Sequence, residues 1–447
     1  MNEMIKSLID SSQLQAITRD VLQEAKNKGA SQSELNISLN KGFRVTARDG
    51  DVERVEYHQD KVLELTVYFG RRSGSASVSD LRPESVHAAV DAACHIARFT
   101  DEDPAAGLAD RKDLALDFPR LDLAYPWEVT VDKAIEMACQ CEREALAYDN
   151  RIVSAEETSV ATMDAFHLYA NSNGFMGSYP YTRHEISCVL IGKQDDEMQR
   201  DYSYTVASDP ASLVSVSDIA KQAAERTVRR LGARRLPTMK TPVIYLAEEA
   251  RGLLGHFIAA ISGGSLYRKS SFLLDHLGKK IFPSFMHIQE QPHLARGLGS
   301  APFDEDGLAT RPNVFIEDGV LKQYCLSVYT GRKLGMQSTA NAGGVHNLIV
   351  KTGNHDLTSL LKTMGKGLLI TEMMGNGANL VTGDYSRGAG GYWVEEGEIQ
   401  YPVQEITVAG KLQNMYAGIR EVGSDVDVRG NIRTGSILIE EMMVAGS

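Results

Sequence analysis

Residues 242–271 read PVIYLAEEARGLLGHFIAAISGGSLYRKSS. A short apolar run of strand character, 243–246, passes directly into an apolar helix over 248–261 whose early turn carries Glu248, Glu249 and Arg251. Acids at a helix amino terminus complement the helix dipole, so dipole chemistry alone accounts for the two glutamates.

Just before this stretch, residues 232–240 (GARRLPTMK) are short, basic and proline-bearing, and the texture of the chain changes across them. Beyond it, a second helix is expected at 357–364, among glycine-punctuated strand-like runs at 314–316, 367–372 and 399–408. Before it, helical spacing marks the first thirty residues (Ile5, Leu8, Ile9, Leu14, Ile17, Val21, Leu22, Ala25), with Gly29 as the stop. Period-two alternation follows at 35–39, 42–47 and 62–68, with Asp49-Gly50 as a turn dipeptide. Pro83 opens a helix to residue 97, and 101–108 reads as a linker. Helices at 132–148 and 216–231 bracket strands at 152–161, 167–170, 185–191 and 202–206. The order is not strictly alternating, so the fold class is α+β: an amino-terminal sheet-plus-helices domain over 1–235 and a β-rich carboxy-terminal domain over 236–447.

Composition narrows the function classes. At 447 residues, 43% apolar and 24% charged, the chain is an ordinary globular protein of two or three domains. A formal net charge of −12 with no Lys/Arg block argues against nucleic acid as a partner. The nearest approach to a basic run is Arg229, Arg230, Arg234 and Arg235, read as cations near a helix end followed by a solvated linker. Five cysteines (Cys94, Cys139, Cys141, Cys188, Cys325) without a CxxC pair predict free thiols in a reducing compartment. Residues 1–10 lack the pattern of a signal peptide and no run approaches ~20 apolar residues, which leads to a cytoplasmic expectation and no membrane partner.

The common catalytic motifs GxxxxGK[ST], GxSxG and HExxH are absent, and Gly388, Gly390 and Gly391 do not make a dinucleotide fingerprint. His184-Glu185 begins like a zinc-protease motif, but Cys188 and Val189 stand where the second histidine would be. On a strand His184 and Cys188 share a face, so a site is conceivable there; a partly exposed sheet histidine is the alternative. Cys325, in a strand-like run over 321–328, has His346 as a conceivable partner or is simply a buried cysteine. Asp384, Tyr385, Ser386 and Arg387 lie in a glycine-rich loop, where they suit peptide carbonyls or a carboxylate, or plain turn chemistry.

Long collinear blocks carry a resemblance. GSASVSDL (74–81), SGGSLYRKSSFLLDHLGK (262–279), GGVHN (343–347), GDYSRGAGGYWVEEGEIQYPVQEITVAG (383–410) and the closing TGSILIEEMMVAG (434–446) resemble the TldD/PmbA metallopeptidase family, most closely its PmbA branch, over nearly the whole chain. The resemblance implies a particular site, because the TldD branch carries HExxxH at this helix start and a cysteine near the carboxy terminus, which together hold zinc. On this chain the histidine positions fall at Glu248 and Leu253, the catalytic glutamate at Glu249, and the cysteine at Thr434 or, as the alternative, Arg429. Leucine cannot ligate, threonine is a poor zinc donor, and carboxylates without imidazole or thiolate do not hold Zn²⁺. Residues five apart on a regular helix differ by about 140°, so an HExxxH site needs a distorted turn, cheapest at Gly252.

The resemblance therefore implies a subunit without its own catalytic metal. It would pair with a TldD-like, zinc-bearing chain, form a homodimer in its absence, and help enclose unfolded peptide. Two rival expectations stay open: a homodimeric peptide-binding protein without hydrolysis, and a self-sufficient peptidase at a site such as His184 with Cys188.

Overall fold

The computed structural model describes residues 11–446. The first helix is described over Ser11–Asn27, where Leu14, Val21 and Ala25 are buried at helical spacing; Ile5, Leu8 and Ile9, and the whole of 1–10, lie outside the described residues.

The amino-terminal half is one six-stranded antiparallel sheet. Its strands are β1 (Gln32–Arg48), β2 (Asp51–Phe69), β3 (Arg72–Val78), β4 (Ile152–Asn171), β5 (Met176–Gln194) and β6 (Glu197–Ala207), in the order β3-β2-β1-β4-β5-β6. The strands are longer than the alternating runs suggest: 35–39 and 42–47 are one strand, as are 152–161 and 167–170. Between β1 and β2, Asp49 and Gly50 both adopt positive φ (56° and 80°), the two-residue hairpin geometry that this dipeptide favours. The buried carboxylate of Glu142 accepts both of their N–H groups, at 2.7 and 2.9 Å.

Odd-numbered residues of β1 face the helices. Leu35, Ile37 and Leu39 pack under Ser11–Asn27 and Pro83–Phe99, whereas Val45 and Ala47 pack under Val131–Leu146 and Val216–Arg229. The even-numbered residues point to the opposite face, which carries no helix among the described residues.

The carboxy-terminal half holds two further sheets. Its strands are β7 (Met239–Tyr245), β8 (Ile288–Glu290), β9 (Asn313–Glu317), β10 (Val320–Leu321), β11 (Leu348–Val350), β12 (Gly367–Met374), β13 (Asp384–Glu395), β14 (Glu398–Lys411), β15 (Ile419–Val422), β16 (Ile432–Arg433) and β17 (Ile437–Ala445). One sheet runs β10-β9-β8-β11-β16; the other runs β14-β13-β12-β7-β17-β15 and closes on itself because β14 also pairs with β17. The helix Ala247–Ile261 leaves the end of β7, and Leu253, Leu254, Phe257 and Ile261 join the largest apolar core.

Three local expectations differ from the structure. The run 321–328 is not a strand: β10 stops at Leu321, and Ser327 and Thr330 form a capping box that opens the helix Val328–Leu334. The glycine-rich loop at 384–387 is instead the start of the twelve-residue strand β13. Its glycines serve close packing, since a Cβ on Gly391 would sit 1.9 Å from the carbonyl oxygen of Leu369 on the neighbouring strand. The basic run is not a solvated linker throughout: the Arg230 side chain is 11% exposed and paired with carboxylates, Arg234 stacks over Tyr401, and Arg235 pairs with Glu405.

Candidate functional site

The start of the helix Ala247–Ile261 is anchored by backbone groups. Leu246 N–H donates to Ile370 O at 3.0 Å, and Ala247 N–H donates to Ser436 Oγ at 3.0 Å, so β12 and the segment before β17 flank the first turn. The helix is uninterrupted through Gly252, which sits in open space, so the distorted turn expected there is absent. Glu248 and Leu253 consequently point in different directions.

Glu248 is buried and enclosed by guanidinium groups. Arg226 Nη2 is 2.6 Å from Oε1, an ion pair without hydrogen-bond geometry, and Arg429 Nη2 donates to Oε2 at 2.8 Å. From these two arginines the pairing extends both ways. Arg226 Nε donates to Asp201 at 3.1 Å; Asp201 lies 3.6 Å from Arg230, which pairs in turn with Glu372. Arg429 grips Asp427 through Nε and Nη2, each at 3.0 Å, and Arg251 lies 3.5 Å from the same carboxylate. The result is an unbroken alternation, Glu372–Arg230–Asp201–Arg226–Glu248–Arg429–Asp427–Arg251. Tyrosines of β6 line it: Arg429 stacks over Tyr204 at 4.3 Å, Arg226 over Tyr202 at 5.4 Å, and the Tyr204 hydroxyl accepts from Arg251 at 2.9 Å. The chain of charges joins the amino-terminal sheet to the barrel.

The other positions of the expected site lie apart. Leu253 is a core residue, 1% exposed, whose carbonyl accepts from the Tyr416 hydroxyl at 3.1 Å. Thr434 is fully buried and its hydroxyl donates to Gly435 O at 3.0 Å. Arg429, the alternative to Thr434, is the one that touches Glu248. Glu249 faces a different set of groups: burial, and then the negative charge of Glu248, push its carboxyl up to about 7, with Arg387 opposing the shift.

Tyr385 and Arg387, two apart on β13, share a face near Glu249 and His256. The Tyr385 hydroxyl accepts from Tyr245 at 3.4 Å, the Tyr385 and His256 rings are 5.9 Å apart, and Arg387 Nε is buried without a hydrogen-bond partner among the described residues. Asp384 points the other way and pairs with Lys411 at 3.1 Å. An open hollow of about 510 Å³ lies over Asn379, Asp384, Tyr385 and Gly410.

Zinc does not suit the donors at this helix start. The Glu248 carboxylate is engaged by two cations, Leu253 offers no donor, and the Thr434 hydroxyl is spent on a carbonyl. Among the described residues no group of three or more His, Cys, Asp or Glu is placed to hold a metal ion. His184 is not partly exposed but fully buried: Nε2 donates to Tyr125 O at 2.8 Å, Nδ1 accepts from Thr162 at 2.9 Å, and burial lowers its pKa. Cys188 lies on the same buried face, its thiol pushed up by a hydrogen bond with Cys141 and by burial. Cys325 is also buried, its pKa raised by that burial to about 12, while His346 is 3.2 Å from Glu290.

The members of the charge chain missed by sequence reading are Asp201, Arg226, Glu372 and Asp427. One signal was present: Arg226 and Arg230 are four apart, which puts two guanidiniums on one helix face. Nothing local indicated which carboxylates they would meet.

The same architecture is found in proteins with known sequences and structures. Residues 238–446 match the PmbA/TldA metallopeptidase C-terminal domain, 124–231 its central domain, and 34–97 its domain 1. The chain belongs to the PmbA/TldD family. The PmbA metalloprotease of Escherichia coli O157:H7 is 47% identical over 425 residues, 95% of this chain and 94% of that one. The PmbA homolog of Haemophilus influenzae is 45% identical over 427 residues, 95% and 94% of the two chains. The family also includes TldD-type proteins, such as a Haemophilus influenzae homolog 20% identical over 434 residues, 92% of this chain and 89% of that one. The crystal structure of a proposed modulator of DNA gyrase from Bacteroides thetaiotaomicron superposes with a TM-score of 0.92 at 26% identity, covering 98% of this chain and all of that one. No helix of the described residues is long and apolar enough to cross a membrane.

Proposed function

We propose that this chain is the metal-free subunit of a two-chain, cytoplasmic metallopeptidase that processes or degrades unfolded peptides, with the catalytic zinc carried by a TldD-like partner. The observation that carries this reading is the placement of Glu248 between Arg226 and Arg429. Guanidiniums cannot ligate a cation and repel one, so the helix start is built for internal charge pairing rather than for Zn²⁺. The occurrence of both a PmbA-type and a TldD-type relative in Haemophilus influenzae supports a division of labour between two chains. Within the pair, Tyr385 and Arg387 on β13 are assigned to peptide contact, since Tyr385 lines the hollow and the half-buried Arg387 guanidinium suits an acceptor such as a peptide carbonyl or carboxylate.

Cleavage of an unfolded peptide by the purified chain, by a TldD-like partner, and by their mixture tests the reading. Activity only in the mixture, or strongly enhanced there, is expected, and light scattering should report a dimer, mixed with the partner or homomeric without it. Full activity of this chain alone, or a strict monomer with no affinity for the partner, would overturn it.

A further inference from the structure

The face of the amino-terminal sheet that carries no helix forms one wall of a cleft of about 520 Å³, closed on the other side by loops of the carboxy-terminal half. That volume falls within the ~300–1,000 Å³ range of ligand sites. On β5, Tyr179, Tyr181 and Arg183 occupy successive positions of that face, and His167 of β4 stands directly opposite Tyr179. The rings form a continuous wall: His167 to Tyr179 is 5.2 Å, Tyr179 to Tyr181 is 6.2 Å, and Tyr179 to Phe303 of the opposite loop is 5.5 Å. Burial lowers His167 to about 4, so this wall is uncharged at neutral pH.

Charge sits at the two ends of the aromatic wall. Arg183, beside Tyr181, is exposed and has no ion-pair or hydrogen-bond partner for its side chain among the described residues. Neighbouring arginines differ, since Arg44 pairs with Glu157 and Glu185, and Arg296 with Asp209. Glu305, close enough to Tyr179 to raise its pKa, is likewise exposed and unpaired among the described residues. Tyr179 and Arg183 are four residues apart on one strand, about 13 Å at strand rise, a distance an extended peptide spans in roughly four residues.

We propose that this cleft binds the carboxyl end of a peptide in extended form. The terminal carboxylate pairs with Arg183, one or two apolar or aromatic side chains lie against Tyr181, Tyr179 and Phe303, and a basic residue upstream reaches Glu305. The peptide nature of the ligand rests on the proposed function; the polarity of the site does not. The cleft is distinct from the hollow over Tyr385, so the chain would hold a peptide at one place while the partner's zinc acts at another.

The test uses the full chain and fluorescein-labelled Lys-Ala-Ala-Phe as free acid and as carboxamide, read by fluorescence anisotropy. Binding of the acid should weaken at least tenfold on amidation and on Arg183→Met, and severalfold on Tyr181→Ala, with Arg183→Lys retaining most of it. Arg183 is a surface residue, and circular dichroism verifies that its variants are folded. Equal binding of acid and amide, no loss with Arg183→Met, or no binding at all would overturn the proposal. Competition by N-acetyl-phenylalanine as strong as that by unlabelled Lys-Ala-Ala-Phe would overturn the peptide assignment in favour of a small aromatic acid. Cleavage by the mixture of this chain and its partner is scored separately: if it persists while anisotropy fails, the cleft assignment falls and the proposed function stands.

Discussion

Arg429 donates to Glu248 at 2.8 Å across 181 residues of sequence, and the contact ties the loop before β16 to the first turn of the helix Ala247–Ile261. Because Arg226 approaches the other oxygen of the same carboxylate, Glu248 is an interior link of an eight-residue charge chain rather than one end of an isolated pair.

Removing one partner from a buried ion pair costs more than the pair contributes, because a desolvated charge is left behind; full burial gives about 3–5 kcal/mol. Arg429 is 24% exposed, so water compensates part of this, and Arg429→Met is expected to destabilise the protein by about 2 kcal/mol. Glu248→Leu in the Arg429→Met background should recover part of the loss. Urea unfolding of the single and double variants measures both, and a double variant as unstable as the sum of the singles would show the two residues uncoupled.

Glu249 has a defined pH signature. Its carboxyl is raised from an ordinary value of 4.5 to about 7, mainly by burial, so the folded state holds a proton there that the unfolded state has released. The contribution to stability is therefore full below pH 4.5 and is lost as pH rises from 4.5 through about 7. A shift of that size corresponds to roughly 3 kcal/mol, reduced to ~2 kcal/mol by partial exposure. Glu249→Gln, neutral throughout, should remove this slope, which chemical denaturation at several pH values between 5 and 8 detects. An unchanged slope in the variant would assign the effect to other groups.

Metal content follows from the donors at the helix start. Elemental analysis after mild chelation should find well under one zinc per subunit, and a stoichiometric, tightly held zinc would contradict the metal-free reading. Installing Glu248→His, Leu253→His and Thr434→Cys together, or the same pair of histidines with Arg429→Cys, should bring metal uptake that no single substitution does. Both need the regular turn around Gly252 to open. If neither folded triple variant takes up zinc or cobalt, either the register is wrong or the turn around Gly252 does not open, and the assignment of Leu253 as a lost ligand is withdrawn.

The thiols provide a test of the rival site. Cys94, Cys141, Cys188 and Cys325 are buried and Cys139 is half-buried, all as free thiols. Brief alkylation of the native protein should label Cys139 first and leave Cys188 unmodified until unfolding, as read by peptide mass spectrometry. Rapid labelling of Cys188, or cleavage by this chain alone that a folded Cys188→Ala variant loses, would revive the His184–Cys188 nucleophile.

What the sequence determined by itself is local periodicity and what local periodicity implies. Alternation in 35–39, 42–47 and 62–68 marked parts of β1 and β2, Asp49-Gly50 placed their turn, Pro83 opened its helix, and long collinear blocks pointed to the family. Those features depend on neighbours within a few residues, where backbone sterics and one-sided burial act directly. The glycines of 388–391 misled because the same residue type marks both a loop and a close strand contact, and only the 1.9 Å approach of Leu369 O to a Cβ on Gly391 separates the two.

Tertiary structure alone decided the charges. Asp201, Arg226, Glu248, Glu372 and Arg429 come from a strand, the end of a helix, the start of another, a second sheet and a loop. A side chain's face is set by its own strand or helix, but its ionic partner is whichever segment the topology brings within a few ångströms, and Coulomb attraction at that range carries no trace in sequence spacing. The same holds for Arg183 and Glu305. Each reads as an ordinary surface charge until the unhelixed face of the sheet and the carboxy-terminal loops close a cleft between them.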